Sequence, residues 1–222
     1  MKQPTVIGDQ VSPHVRALVF ALAEKDIVCK IESPSSSEAL ARFSNTPESG
    51  QASLAEPRLL WNDHQIIGRE ECLRFVDEMT ERNPLTPKDD ADHRRVEAAL
   101  ALYYREAVLT LGWQVAAPYM LAIVTGTPLG PILPEPSEEA RETVGKLEGM
   151  LGSSAFFGGE RLSLADIALS ALFEHLSTFR EYQTLVPSGS SLRGWYQRVS
   201  TRSAFDLTRQ AGGSIPGLFQ AA

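Results

Sequence analysis

The chain has 222 residues, enough for one large domain or two small ones. A hydrophobic fraction of 43% suits a globular protein with a sizeable core. A net charge of −7 and an isoelectric point near 5.2 argue against nucleic acid or an anionic membrane as the main partner. Met1-Lys2-Gln3-Pro4 lacks the apolar core and cleavage site of a signal peptide. No apolar run approaches the roughly 20 residues that span a bilayer, so the expected location is the cytoplasm. Cys29 and Cys72 lie in apolar-patterned segments and read as free thiols. His14, His64, His93 and His175 have no ligand spacing, and no metal site is expected.

The first eighty residues read as β-α-β, then α, then β-β-α. A strand is predicted at 5–7 and a helix from Pro13 to about Lys25, with Val15, Leu18, Val19 and Leu22 on one face. Ser12 stands at the N-cap and Pro13 at the first helical position. A hydroxyl there sits at the positive end of the helix dipole beside free N–H groups, so it can cap the helix or help to hold an anion. A second strand is predicted at 27–31 and a short helix at 38–43. A loop rich in breakers, 45–57, follows. Strands at 58–61 and 65–67 flank the turn Asn62-Asp63-His64, and a helix carries Cys72, Leu73, Phe75, Val76 and Met79.

Two prolines and a charge cluster in 83–90 break every periodic pattern, which predicts domains at 1–83 and 84–222. Beyond this point the pattern is helical. A long helix carries Val96, Leu100, Tyr103, Ala107 and Leu111 and is interrupted at Pro118. Residues 126–136 form a break. Further helices are predicted at 138–151, 164–179 and 192–201, with an irregular tail from 212.

Ser163-Leu164-Ala165-Asp166 is a capping box, with the hydroxyl placed for the Asp166 N–H and the carboxylate for the Ser163 N–H. It is expected to nucleate a buried helix and to carry no chemistry. Its surroundings, from Phe156-Phe157-Gly158-Gly159 to Asp166-Ile167-Ala168, are more specific. With Gly194-Trp195-Tyr196-Gln197-Arg198-Val199 and Ser203-Ala204-Phe205, they resemble the helical half of the soluble glutathione transferase superfamily. Ser12-Pro13-x-Val15-Arg16 is similar to the active-site opening of the family's serine-type classes. Glu24-Lys25-Asp26-Ile27 resembles its turn into strand two, and Glu56-Pro57-Arg58-Leu59 its cis-proline step. The resemblance spans about residues 5–205 and implies a thioredoxin-like α/β domain followed by an all-helical one.

The resemblance also implies a co-substrate, glutathione, a small apolar electrophile as acceptor, and a homodimer. Transfer chemistry needs the glutathione thiol as thiolate. Lowering a thiol pKa by roughly two units requires about 2.7 kcal/mol. One charge-assisted hydrogen bond supplies about 1.5–3 kcal/mol, and a helix N-terminus adds up to about 1–2. Ser12 is therefore sufficient as the catalytic donor. The backbone of Glu56 before Pro57 is expected to pair with the ligand main chain, with Gly68, Arg69 and Glu70 at its γ-glutamyl end. His14, Tyr103, Tyr104 and Trp113 are candidates for the acceptor pocket, or pack elsewhere. The dimer contact is expected along 45–57, burying Trp61 or Leu54.

Three features depart from the family pattern. No acid-serine pair opens the helix after the hairpin, the 45–57 loop is enlarged, and Glu56 replaces a small apolar residue. Two readings follow: a transferase with a divergent glutathione site, or a glutathione-independent binding or interaction module on the same fold.

Overall fold

The structure is a computed structural model and describes residues 2–34, 56–117, 135–179 and 181–211. The expected helix at 38–43, the enlarged loop up to residue 55, Pro118 with most of the following break, and the tail beyond 211 lie outside these residues. The chain divides into two compact units. One holds Met1–Pro84 together with the chain from Arg202 onward, and the other holds Leu85–Thr201.

The first unit contains β1 (Thr5–Ile7), α1 (Pro13–Glu24), β2 (Lys30–Glu32), β3 (Arg58–Trp61), β4 (His64–Ile67) and α2 (Arg69–Glu78). The strands form one sheet in the order β2-β1-β3-β4. β1 pairs parallel with β2 and antiparallel with β3, setting Ile7 opposite Arg58. β4 pairs antiparallel with β3, setting Ile67 opposite the same Arg58. The ladder of β2 begins later than the predicted strand, at Lys30 instead of Ile27.

Val15 to Leu22 of α1 are all buried, a wider face than a helix on the surface of a sheet needs. The cause is a helix that the sequence pattern did not reveal. The last helix among the described residues packs on α1, and Phe205 meets Phe20 edge-to-face with ring centroids 5.1 Å apart. The expected second domain of 84–222 therefore gives up its last helix to the first unit.

The turn Glu24-Lys25-Asp26 ties this unit together. Arg202 grips the Glu24 carboxylate with two bonds of 2.6 and 2.7 Å. The Lys25 side chain is fully buried. Its ammonium donates to the carbonyls of Thr80, Arg82 and Asn83 at 3.3, 2.9 and 3.3 Å and pairs with Asp77 at 2.8 Å. Asp26 turns the chain at φ 55°, where the family resemblance would place glycine.

The second unit begins with α3 (Asp90–Leu102), capped by Asp89, whose carboxylate accepts from Ala91 and Asp92 N–H at 2.9 and 3.1 Å. It continues without a break into a π-helical segment, Tyr103–Ala116. Then come α4 (Glu138–Leu151), α5 (Leu164–Ser177), the short α6 (Glu181–Leu185) and α7 (Ser191–Ser200). The remaining helix, α8 (Ser203–Ala211), is the one that packs on α1.

The capping box of α5 is present, and its chemistry extends beyond the box. Asp166 is fully buried, and four donors converge on its carboxylate. Ser163 N–H and Oγ donate to one oxygen at 2.8 and 2.6 Å; Phe157 N–H and Trp195 Nε1 donate to the other at 2.9 and 2.7 Å. Burial pushes this carboxyl up, and the four donors oppose that shift by favouring the anion. Three separate segments thus meet at one side chain. Asp166→Ala should leave those donors unmatched and cost about 3–5 kcal/mol of stability, read as a large fall in the urea midpoint; a change under about 1 kcal/mol would show the donors re-satisfied elsewhere.

Candidate functional site

The site is built at one end of the first unit's sheet. Antiparallel pairing puts the end of β1, the start of β3 and the end of β4 together, so three turns meet there. The first is the turn between β1 and α1. The Gly8 N–H bonds Glu32 O at 3.1 Å, and a Cβ on Gly8 would lie 2.4 Å from a Val15 methyl, so only glycine fits. Asp9 shapes the rest: its carbonyl accepts from Ser12 N–H at 2.9 Å and its carboxylate from Val11 N–H at 3.1 Å.

Ser12 is the N-cap of α1, and its Oγ accepts from His14 N–H at 3.3 Å. Capping uses an oxygen lone pair and leaves the O–H available to donate. No acid occupies the first turn of α1; the nearest carboxylate before it along the chain, Asp9, is engaged by Val11 N–H. His14 is half-buried immediately beyond.

The second turn is Glu56–Pro57. The expected cis peptide is absent, for no described residue carries a cis bond. The trans proline has a physical role in this sheet. Its carbonyl accepts from Gly68 N–H at 3.1 Å, extending the β3–β4 ladder by one bond. It also faces the Cys72 thiol at 3.7 Å. Having no N–H to donate, Pro57 sits just before the paired residues of β3.

The third turn opens α2. Gly68 has φ 116°, and a Cβ there would lie 2.1 Å from a Glu71 carboxylate oxygen. The Glu71 carboxylate thus folds back over the helix start. Glu70 is held by Arg74 at 2.6 and 2.8 Å. Arg69 pairs with Glu56, Nε to Oε1 at 3.5 Å, with each side chain about one-third exposed. Sequence reasoning treated Glu56 and Arg69 as two separate departures; the structure joins them.

The acceptor candidates lie in the second unit, apart from His14. Tyr103 is buried at 1% exposure and meets Tyr104 edge-to-face at 4.8 Å, so it serves the core and presents no surface to a ligand. Tyr104 is half-buried. Trp113 and Leu109 stand out from the π-helical segment at 68% and 56% exposure. π-helical turns are rare and concentrate at functional positions. The sequence pattern did not signal this one. Trp61, expected at a dimer contact, is buried at 2% within its own unit, edge-to-face with Phe75, and Leu54 lies outside the described residues.

Both thiols are held toward the neutral form. Burial, reinforced by the charges of Glu71 and Glu56, pushes Cys72 up to about 12. Burial beside an open apolar groove of about 460 Å³, lined also by Val19, Ile27 and Leu207, pushes Cys29 up to about 11.

Residues 137–198 match the family model of the glutathione S-transferase C-terminal domain. No curated protein matches the sequence. Solved structures do. Glutathione transferase F7 from Populus trichocarpa is 16% identical, with a TM-score of 0.75 over 94% of this chain and 99% of its own. FzlA from C. crescentus is 21% identical, with a TM-score of 0.77 over 100% of this chain and 97% of its own. Glutathione S-transferase I, solved with lactoylglutathione, is 15% identical, with a TM-score of 0.76 over 95% of this chain and 100% of its own.

The chain has the glutathione transferase fold. Within that fold, residues 137–198 are the part that matches the C-terminal domain model by sequence. In this glutathione transferase-like protein, thiol chemistry of the protein's own should be silent. At pH 8 about one Cys29 in a thousand is thiolate in the folded state, and still fewer Cys72. Labelling by iodoacetamide should be slow at pH 8 and rise about tenfold per pH unit while the fold holds; rapid labelling of the folded protein would contradict the raised thiol pKa values.

Proposed function

We propose that this protein binds glutathione at the sheet end formed by Ser12, Glu56–Pro57 and Gly68–Arg69, and transfers it to a small apolar electrophile. The carrying observation is Ser12: a hydroxyl free to donate, fixed at a helix start whose first turn has no acid. A thiolate placed there would accept the Ser12 proton in a hydrogen bond and gain from the N-terminal dipole. The Glu56 and Pro57 main chain would meet the middle of the ligand. Gly68, Arg69 and Glu70 would meet its γ-glutamyl end. His14, just beyond Ser12, would border the acceptor. A cytoplasmic location accords with this reading, and no helix among the described residues is long and apolar enough to cross a membrane.

The second reading, a glutathione-independent binding module, is favoured by a specific set of observations. Pro57 is trans, Glu71 overhangs Gly68, and Glu56 already holds Arg69. Ser12 weighs toward the transferase, because a cap needs only its lone pair and leaves the donor unused.

Ser12→Ala should raise the pH at which the thiolate absorbance of bound glutathione titrates, by about a unit or more; an unchanged titration with unchanged turnover would reduce Ser12 to a helix cap. A homodimer is part of the same reading, since closed two-fold symmetry is the commonest assembly of soluble proteins. Light scattering at micromolar concentration should give twice the chain mass, and a single-chain mass would remove the dimer.

A further inference from the structure

We propose that Glu56 is a built-in competitor for the ligand: its carboxylate holds Arg69, and an incoming ligand carboxylate takes its place. The inference rests on the glutathione reading of this sheet end and adds to it how the site is guarded.

Arg69 is the first residue of α2, and Glu56 stands beside it in the turn before β3. The two are brought together by the β3–β4 pairing and by the bond from Gly68 N–H to Pro57 O at 3.1 Å. The contact of 3.5 Å is therefore made between two fixed backbone points. What Arg69 holds there is a carboxylate, and guanidinium accepts carboxylates in preference to other partners. The contact is long at 3.5 Å and about one-third exposed on each side, the class of ion pair that exchanges readily. A ligand carboxylate able to use two guanidinium N–H groups would displace it.

The surrounding charge gives Arg69 its weight. Glu70 is taken up by Arg74 at 2.6 Å, while the Glu71 carboxylate overhangs Gly68. Glu56 and Glu71 both act on the Cys72 thiol, so the charges gather around the start of α2. An anionic ligand approaching this place meets a negative field that Arg69 alone, of the residues in the turn 68–71, opposes. While Glu56 occupies Arg69, the competent fraction of the site is reduced and the apparent affinity falls by that fraction. Glu56 thus lowers affinity by its side chain, although its main chain belongs to the binding strand.

The test is calorimetric titration of the wild-type protein, Glu56→Gln, Arg69→Ala and the double variant with glutathione. Glu56→Ala serves as a second form, and thermal melts check the fold. The wild type should bind at around millimolar concentration, and Glu56→Gln should bind about three- to tenfold tighter. Arg69→Ala should weaken binding, and adding Glu56→Gln to it should recover nothing beyond the loss of one repelling charge. A wild type that binds no glutathione beside a Glu56→Gln form that does would also support the inference. Binding by the wild type that Glu56→Gln and Glu56→Ala leave unchanged or weaken would overturn the competitor and keep the glutathione site. Silence from the wild type and both Glu56 variants at tens of millimolar would overturn the glutathione reading and the competitor with it.

Discussion

The register of β1 against β3 sets Ile7 opposite Arg58, and the first unit's chemistry depends on that pairing. Each strand is only three or four residues long, so the sheet has little surface of its own. What it provides is an end. One end collects the Gly8–Ser12 turn, the Glu56–Pro57 step and the start of α2, from three distant parts of the sequence. A one-residue slip would invert the faces of β3, exposing Leu59 and Trp61, both buried at 2% or less. The same slip would separate Pro57 O from Gly68 N–H. Core packing and site assembly are thus enforced by one constraint.

Each unit also contains a fully buried charge on which several donors or acceptors of the protein itself converge. Lys25 directs its ammonium at three carbonyls and one carboxylate. Asp166 receives four donors. Burying a charge is costly, and breaking its network costs more than the network contributes over apolar packing. Their effect is therefore positional. Lys25 fixes the path of the chain from α2 to Pro84, and Asp166 fixes the 157–163 loop and α7 against α5. Residues outside the network can vary while these anchors hold the backbone, and that includes the side chains around Ser12 and Arg69.

Local signals in the sequence correspond closely to what was found. The Ser12 cap, the 138–151 helix, the hairpin turn and the Asp166 box are each set by neighbours a few residues apart, and each is in place. Features that depend on distant partners were not legible. α8 joins α1 through Phe205 and through Arg202, which is 178 residues from Glu24. The π-helical segment has the same apolar spacing as an α-helix over its first turns, and its extra residue per turn is decided by packing. The Glu56–Arg69 pair needs the β3–β4 hairpin to exist before it has meaning. Pro57 illustrates the point from the other side: its carbonyl is engaged by Gly68 and Cys72, partners that only the folded hairpin and α2 bring to it.

The two helix starts at the site make opposite electrostatic offers. α1 begins with a serine, a proline and no acid. α2 begins with Arg69 followed by Glu70 and Glu71. An anion is favoured at the first and opposed at the second, except where Arg69 reaches it. A peptide ligand with a thiolate at one point and a carboxylate at another must satisfy both, and the second contact requires taking Arg69 from Glu56. The proposed thiolate contact depends on a neutral hydroxyl whose proton is left free by its capping role. In the proposed reading, selectivity at this sheet end resides with the arginine, and the activation of a bound thiol with Ser12. Changes in ligand preference can then accumulate at Glu56 and Arg69 without disturbing the turn that presents the hydroxyl.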